Sequence, residues 1–453
     1  MSSRLVAGSS ELPEKTEVVV IGGGAIGAMV TLHLALAGVE VICVEANSKN
    51  FGSSSRSAAA ARQQFGMAEN IAMQLYSIDF FRRYAETLDG RTPPMKHVGY
   101  HFMYDGYVKD GSGSQKFLPD MVIGAIGKRV SFQQERGLRD VVLLLPEDIR
   151  ARFPYIDTTN VACSTFCPSD GFCFPDVITN DGFEKAEKHG ARLFQHTRVT
   201  GFKRKANGQI THVVTNKGEI ECREVVNATG MWSPEIAKLV GTQLPVSAVR
   251  RYLYFMKPNL GGKNYNSFAE ENNLPLPMDE MPFTIVPGGA YARPDHDLFM
   301  LGWDAKPKED VVSTLPDIAN ESESQLFQDL IEEGFGLRDD PTYGDEMCEK
   351  LSSTLPFLLS SCGFARATTG FYELTADHSP IIDRDPNAEN LIHCCGFSGH
   401  GIMQSPSAGR VVSEIISNGE PRLVPANTYS LQGLYFRLRG EADKARPHEV
   451  MVI

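Results

Sequence analysis

Residues 17–46 read EVVVIGGGAIGAMVTLHLALAGVEVICVEA, and this stretch decides the fold. The apolar run at positions 18–21 predicts a buried strand, and Gly22, Gly24 and Gly27 follow it with the spacing G-x-G-x-x-G. Glycines in this pattern allow a sharp turn, a close approach of a pyrophosphate and tight packing of the next helix. The N–H groups at the start of that helix attract phosphate. The stretch therefore predicts a dinucleotide-binding unit.

The second strand of this unit ends in an acid. Apolar residues recur at helical spacing after the glycines, Gly38 ends that helix, and positions 39–44 predict a strand that leads into Glu45. A carboxylate in this position can accept a hydrogen bond from a ribose hydroxyl. An unliganded βαβ unit and a membrane span are the other interpretations, and the glycines and charged residues argue against a span.

Composition narrows the classes of partner. The chain has 453 residues, enough for two or three domains, and its formal net charge is −12. An acidic chain disfavours nucleic acid and anionic membranes as partners. Nine cysteines without a recurring C-x-x-C pair indicate reduced thiols in a cytoplasmic protein, and we expect no metal site and no membrane span. Residues 1–16 lack the apolar core of a signal peptide, and they and residues 441–453 are expected to be tails.

A loop of small residues follows the first unit. It reads GSSSRSAAAARQQF at positions 52–65 and would either wrap closely around a cofactor or serve as a plain linker. Arg56 and Arg62 stand among serines and alanines, which suggests specific contacts with anions. Arg62 is the better candidate for a substrate carboxylate, whereas Arg56 is expected nearer the cofactor.

Two later turns are also built from small residues. Residues 225–230, VVNATG, predict a buried strand that ends in a turn. Residues 391–395 predict another strand, followed by the turn GFSGHG at 396–401 and by a helix that opens at about residues 405–406. Glycine-rich turns near both ends of the chain can flank one extended ligand. A flavin needs this arrangement, with its phosphates at one helix start and its isoalloxazine near another.

The remaining segments predict a second, β-rich layer. Strands are expected at residues 96–104, 141–145, 191–202, 210–215, 219–222, 244–255 and 283–304. Helices are expected at residues 69–88, from residue 132, from residue 146 and at 176–189, with helical or turn-like segments at 321–335 and 356–362. The expected fold class is α/β, in an α+β two-domain arrangement. Residues 17–95, 160–240 and 365–440 would form a Rossmann-like FAD-binding domain, and residues 96–159 and 241–364 a β-rich substrate domain.

Five blocks in order resemble the FAD-dependent D-amino-acid-oxidase superfamily. They are the glycine fingerprint, the 52–65 loop, NATGMWS at 227–233, Tyr-x-Arg-Pro at 291–294, and GFSGHGIMQSPSAGR at 396–410. The resemblance is to the branch of sarcosine oxidases and dimethylglycine dehydrogenases. It implies a flavin enzyme that removes hydride from the C–N bond of a secondary or tertiary amine beside a carboxylate, such as an N-methyl or N-alkyl amino acid. Water then hydrolyses the imine.

The resemblance also implies roles for individual side chains. Arg62 would bind the substrate carboxylate through two parallel bonds, and Tyr291 and Tyr372 would line the pocket over the flavin. His400 would serve either as an acid or base or as a structural hydrogen-bonding group, and Asp304 either as a partner of the substrate ammonium or as a solvated turn carboxylate. The expected cofactor-binding residues are Gly22, Gly24, Ala25, Ile26, Gly27, Glu45, Ala46, Ser53, Ser54, Ser55, Arg56, Ala61, Arg62, Val199, Ala228, Thr229, Gly230, Trp232, Gly396, Ser398, Gly399, His400, Gly401, Ile402 and Met403.

Three departures from that branch change the expectation. Met300 and Met403 stand where monomeric sarcosine oxidases have lysines, one over the flavin and one that binds the substrate. Gly370 stands where the flavin-bearing cysteine is, and residues 52–65 lack the histidine to which dimethylglycine dehydrogenases attach theirs. We therefore expect noncovalent FAD. The departures favour a dehydrogenase, with an electron acceptor other than oxygen such as an acceptor protein, over an oxidase, and they disfavour a substrate of sarcosine size.

Other functions remain open from the sequence. A 2-hydroxy acid or D-amino acid dehydrogenase on the same fold would also need an arginine such as Arg62. A flavin-binding assembly factor would keep the glycine turns without turnover. An NAD-dependent dehydrogenase would need a nicotinamide-side half with its own strand and helix units, which the β-rich middle of the chain does not resemble.

Overall fold

The computed structural model describes residues 11–109, 114–303 and 342–439. The expected segment 321–335 and the candidate Asp304 lie outside the described residues. Helices of the described part are Ala25–Leu36, Ala68–Arg82, Tyr84–Thr87, Pro119–Glu135, Pro146–Arg152, Pro175–Lys188, Ser233–Lys238, Tyr265–Glu271, Thr342–Ser352, Phe357–Ser360, Gly401–Asn418 and Leu431–Leu438.

A six-stranded sheet forms around the first strand of the chain. Its order is Arg192–Phe194, Val41–Val44, Val18–Ile21, Glu224–Asn227, Ala388–Cys395 and Ile381–Asp385. All neighbours pair in parallel except the last, which is antiparallel. The first two strands of the chain are apolar and buried throughout, as strands covered on both faces must be. The helix Ala25–Leu36 packs against the helices Gly401–Asn418 and Pro175–Lys188.

An eight-stranded mixed sheet forms the second layer. Its order is Cys362–Leu374, Ser247–Pro258, Leu298–Trp303, Ala290–Asp295, Phe283–Ile285, Tyr100–Tyr104, Cys163–Cys167 and Val142–Leu144. Three smaller sheets pair Ala60–Ala61, Gly171–Cys173 and Met95–Lys96; Val199–Arg204, Ile210–Thr215 and Gly218–Glu221; and Tyr107–Lys109 with Gln115–Phe117. The Rossmann-like sheet beside a β-rich layer confirms the expected fold class. The expected division into two domains stays a prediction.

Two helix starts differ from the expectation. The helix expected from residue 132 begins at Pro119, where proline occupies the first turn. Gly124 and Gly127 obscured this start, because glycine weakens the helical signal.

The last large helix begins directly after the glycine-rich turn, at Gly401, and not at residues 405–406. Pro406 lies inside the helix, where it cannot donate to the carbonyl of Ile402. The hydroxyl of Ser405 donates to that carbonyl instead, at 2.9 Å. The serine thus compensates for the lost backbone bond, and the proline marks no helix start.

Candidate functional site

One cavity joins the glycine-rich turns to the eight-stranded sheet. Its volume is about 770 Å³, within the range of roughly 300–1,000 Å³ that is usual for small-molecule sites. Residues of both large sheets line it. The cavity therefore lies where the two layers of the fold meet.

The first glycine turn can be built only from glycine at two of its positions. Gly22 has a φ of +113°, and a Cβ atom there would lie 2.4 Å from the carbonyl oxygen of Ala228. A Cβ atom on Gly27 would lie 1.8 Å from the carbonyl oxygen of Gly22. The helix starts at Ala25 without a side-chain cap from Gly24. This turn is a cradle that a diphosphate can approach and that side chains would fill.

Glu45 lies beside this turn. Its Oε2 accepts a hydrogen bond from the N–H of Gly23 at 2.5 Å, and its Oε1 accepts one from the N–H of Asn47 at 2.8 Å. These two backbone donors hold the carboxylate beside the turn, where the motif expects the acceptor of a ribose hydroxyl.

A buried polar network supports the second turn, which ends the segment 225–230. Asn227 lies at the end of its strand, and its Oδ1 accepts from the hydroxyl of Thr229 at 2.7 Å. Its Nδ2 lies 3.1 Å from Nδ1 of His393, whose Nε2 lies 2.8 Å from Oδ2 of Asp385. Burial tends to raise the pKa of Asp385, but hydrogen bonds from His393, Thr242 and the backbone outweigh it and lower that pKa. The network fixes the turn that touches Gly22.

Four side chains of the eight-stranded sheet form what we call the aromatic end of the cavity: Arg251, Leu253, Tyr291 and Tyr372. Strand register places them on one face, because Arg251 pairs with Gly370 and both Leu253 and Tyr291 pair with Gly302.

Glycines make room for the two tyrosine rings at this end. A Cβ atom on Gly302 would lie 2.3 Å from the ring of Tyr291, and one on Gly399 would lie 2.5 Å from the ring of Tyr372. The guanidinium of Arg251 lies 5.2 Å from the centroid of Tyr372. The aromatic end therefore combines a cation and two tyrosines next to the third glycine turn, which is formed by residues 396–401.

Arg62 lies beside this site but does not line the cavity. Its side chain is fully buried, its carbon Cζ is 4.0 Å from the ring centroid of Phe65, and Nη1 donates to the carbonyl oxygen of Gln64 at 2.5 Å. A substrate would reach this guanidinium only if its neighbours moved. Its expected role as the carboxylate ligand stays a prediction.

His400 contacts Arg62 directly. Nη2 of Arg62 lies 3.2 Å from Nε2 of His400, and a guanidinium has no acceptor, so Nε2 accepts and the ring proton is on Nδ1. Burial, together with the charge of Arg62, holds the pKa of His400 well below its usual range. The imidazole is therefore neutral, and the lone pair of Nε2 already has a donor.

Most of the expected cofactor residues meet in the cavity. Those that line it are Gly22, Gly24, Ala25, Ile26, Glu45, Ala46, Ser53, Ser54, Arg56, Val199, Ala228, Thr229, Gly230, Trp232, Gly399, Gly401 and Ile402. Those that do not line it are Gly27, Ser55, Ala61, Arg62, Gly396, Ser398, His400 and Met403. Burial lowers the pKa of Arg56 to about 10, and its Nη1 donates to the carbonyl oxygen of Phe51 at 2.6 Å.

Sequence reasoning missed Arg251 and Glu373, both of which line the cavity. Arg251 stands in a strand that was expected only as part of the β-rich layer. The two-residue alternation of Arg251 with Leu253 was the available signal, but it does not say which face of a strand meets the ligand.

Comparison with known proteins decides the family. The family described as FAD dependent oxidoreductase (DAO) matches residues 17–415. The chain belongs to this family. FAD is the cofactor of DAO-family proteins, and the glycine cradle, Glu45 and the size of the cavity fit it. The chain is an FAD-dependent oxidoreductase of the expected superfamily.

This DAO-family chain is similar in sequence or fold to several individual proteins. It is 25% identical to FAD-dependent oxidoreductase domain-containing protein 1 of Bos taurus, over 97% of this chain and 88% of that protein. It is 24% identical to mitochondrial dimethylglycine dehydrogenase of Homo sapiens, over 92% of this chain but 44% of that protein. The crystal structure of L-proline dehydrogenase from P. horikoshii superposes with a TM-score of 0.73 and 27% identity, over 95% of this chain and 99% of that one.

The described residues contain neither a membrane-spanning helix nor a cluster of metal-ligating side chains. Helices in the described ranges include none with the length and apolar character needed to cross a bilayer. Within the same ranges, no group of three or more His, Cys, Asp and Glu side chains is arranged to hold a metal ion.

Proposed function

We propose that the chain oxidises the C–N bond of an amino acid whose nitrogen carries a methyl or other alkyl group. The observation that supports this most strongly is the aromatic end of the cavity, where Arg251 lies beside Tyr372 and on the same sheet face as Tyr291. FAD, when bound, supplies the acceptor for the hydride that leaves the substrate carbon. The protein residues bind the acid, orient the amine and limit the access of water.

Arg251 would pair with the substrate carboxylate. A guanidinium presents a planar set of donors that matches two carboxylate oxygens, and the ring of Tyr372 beside it favours a fixed orientation. Arg251 lines the cavity, whereas Arg62 does not line it and donates to Gln64 and His400 inside the protein. We therefore assign the carboxylate to Arg251 and keep Arg62 as the competing candidate.

The two tyrosines would enclose the alkyl amine. Tyr291 is buried and packs in an apolar cluster with Leu253 and Met300, so this wall of the site excludes water. Hydride transfer from an amine requires the neutral amine, and it needs no dedicated base. His400, with Nε2 facing Arg62, would position that arginine rather than accept a substrate proton.

Met300 bears on the electron acceptor. It is buried next to Tyr291, and a methionine supplies no positive charge that could assist a reaction with oxygen. We propose noncovalent FAD and an acceptor other than oxygen, such as a protein, so that the chain works as a dehydrogenase. The cytoplasmic location and the division into an FAD-binding and a substrate domain stay part of this proposal.

Anaerobic mixing of the purified, FAD-loaded protein with a panel of substrates tests the function. The panel contains N-methyl amino acids, D-amino acids and 2-hydroxy acids, and the visible flavin absorbance is followed. We expect bleaching with N-alkyl amino acids. Bleaching only with hydroxy acids would contradict amine oxidation, and a yellow protein that no compound reduces would favour a binding or assembly role.

A further inference from the structure

Glu373 is an acid of the cavity that the proposed chemistry does not use. It is the last residue but one of the strand Cys362–Leu374, and it lines the cavity next to Tyr372. Successive residues of a strand point to opposite faces. Glu373 therefore does not share the sheet face of Tyr372.

The carboxylate is bound to the third glycine turn. Its Oε2 accepts from the N–H of Gly396 at 3.0 Å, and the backbone of Phe397 donates a second bond. The N–H of Ser398 donates to the backbone carbonyl oxygen of Glu373, also at 3.0 Å. Three consecutive residues of the turn thus hold the side chain and the backbone of Glu373. Two donors use about half of the acceptor positions of a carboxylate.

Contacts between the turns place Glu373 along the cavity. Gly22, in the diphosphate cradle, approaches the carbonyl of Ala228, and a Cβ atom on Gly230 would lie 3.9 Å from Oε2 of Glu373. Tyr372, the next residue back along the strand, belongs to the aromatic end. Glu373 therefore lies between the diphosphate cradle and the aromatic end.

The part of FAD that connects a diphosphate to the isoalloxazine is the ribityl chain, which carries three hydroxyl groups. A carboxylate is an acceptor and hydroxyls are donors, so the chemistry of the two groups is complementary. Burial raises the pKa of Glu373 to about 7, against the two backbone bonds. A further donor would favour the charged carboxylate.

We propose that Glu373 accepts a hydrogen bond from a ribityl hydroxyl of FAD and thereby sets the position of the flavin between the two ends of the cavity. This inference depends on FAD binding, which belongs to the family, and not on the identity of the substrate. A protein that oxidised no amine would leave the inference intact.

Binding of FAD analogues tests the proposal without turnover. Apoprotein is titrated with FAD and with its 2′-, 3′- and 4′-deoxyribityl analogues, and dissociation constants are obtained from flavin fluorescence. We expect wild-type protein to bind one analogue about 10-fold to 100-fold more weakly than FAD, as for a lost hydrogen bond to a charged group. In Glu373→Leu and Glu373→Gln, the difference between that analogue and FAD should shrink to within about threefold, because the acceptor is lost or is no longer charged.

The control is Glu389→Gln, which removes an exposed acid outside the cavity lining and should keep the wild-type discrimination. If Glu373 only held the glycine turn, its variants would weaken FAD and all analogues by the same factor, and the proposal would be wrong. Equal affinity of the wild-type protein for FAD and all three analogues would overturn it as well, whether or not the variants fold.

Discussion

Replacing Arg251 with glutamine removes the cation that we assign to the substrate carboxylate while keeping much of the side-chain length. Truncating one partner of a buried, hydrogen-bonded charge pair costs about 2–5 kcal/mol. Arg251 is partly buried, so we expect the lower part of this range, about 2–3 kcal/mol. At about 1.4 kcal/mol for each factor of ten, this corresponds to a loss of roughly 30-fold to 150-fold in kcat/KM. Most of the loss should appear as a higher KM, because the carboxylate is bound in both ground and transition states.

Steady-state kinetics with an artificial electron acceptor measures this effect. Arg250→Gln is the matched control, because Arg250 is the neighbouring residue on the same strand, points to the other face and does not line the cavity. The ratio of flavin to protein should be unchanged in both variants. Arg62→Gln tests the competing assignment, in which Arg62 binds the substrate carboxylate. An unchanged KM in Arg251→Gln together with a steep rise in Arg62→Gln would refute the assignment and restore Arg62 as the carboxylate ligand.

Three further outcomes are expected. Gly22→Ala should abolish FAD binding, because a Cβ atom would lie 2.4 Å from the carbonyl oxygen of Ala228 and φ is +113°. The flavin-to-protein ratio of the purified variant measures this effect. A normal ratio would contradict the assignment of this turn as the diphosphate cradle. Asp385→Ala should lower the free energy of unfolding by about 1–3 kcal/mol, since it leaves the buried Nε2–H of His393 without its acceptor. The folded protein lowers the pKa of Asp385, so its stabilising contribution is present above the unfolded pKa of about 4 and is lost as the pH falls. In denaturant titrations at acid pH, the free energy of unfolding of Asp385→Asn should therefore depend less steeply on pH than that of the wild-type protein. An equal pH dependence of the two proteins would count against the network. Acid precipitation should release all FAD into the supernatant, whereas flavin that stays with the protein would contradict noncovalent binding.

Local sequence signals predict the first part of the cavity wall. The strand, the glycines, the helix and Glu45 follow one another within residues 17–46, and each depends on near neighbours in the chain. The structure places Gly22, Gly24 and Glu45 on the cavity wall as such a motif requires. The family resemblance added the tyrosines, which lie far apart in the chain but meet at the aromatic end.

The rest depends on tertiary packing that the sequence does not display. Arg251 reaches the cavity because the strand Ser247–Pro258 pairs with Cys362–Leu374 in one register. A shift of this register by one residue would have turned Arg250, and not Arg251, toward the cavity. Arg62 stands in a loop of alanines that looks accessible, yet Phe65, Gln64 and His400 surround its guanidinium. The serine that compensates for Pro406 is likewise recognisable only once the helix is in place.

The most direct test of the central claim is an anaerobic titration of the FAD-loaded protein with an N-methyl amino acid and, in parallel, with the same amine lacking its carboxylate. The account predicts that the acid bleaches the visible flavin absorbance at low concentration and that the amine without a carboxylate requires at least about 30-fold more, the loss expected for one buried charge pair. Equal bleaching by the two compounds, or none by the acid, would contradict it.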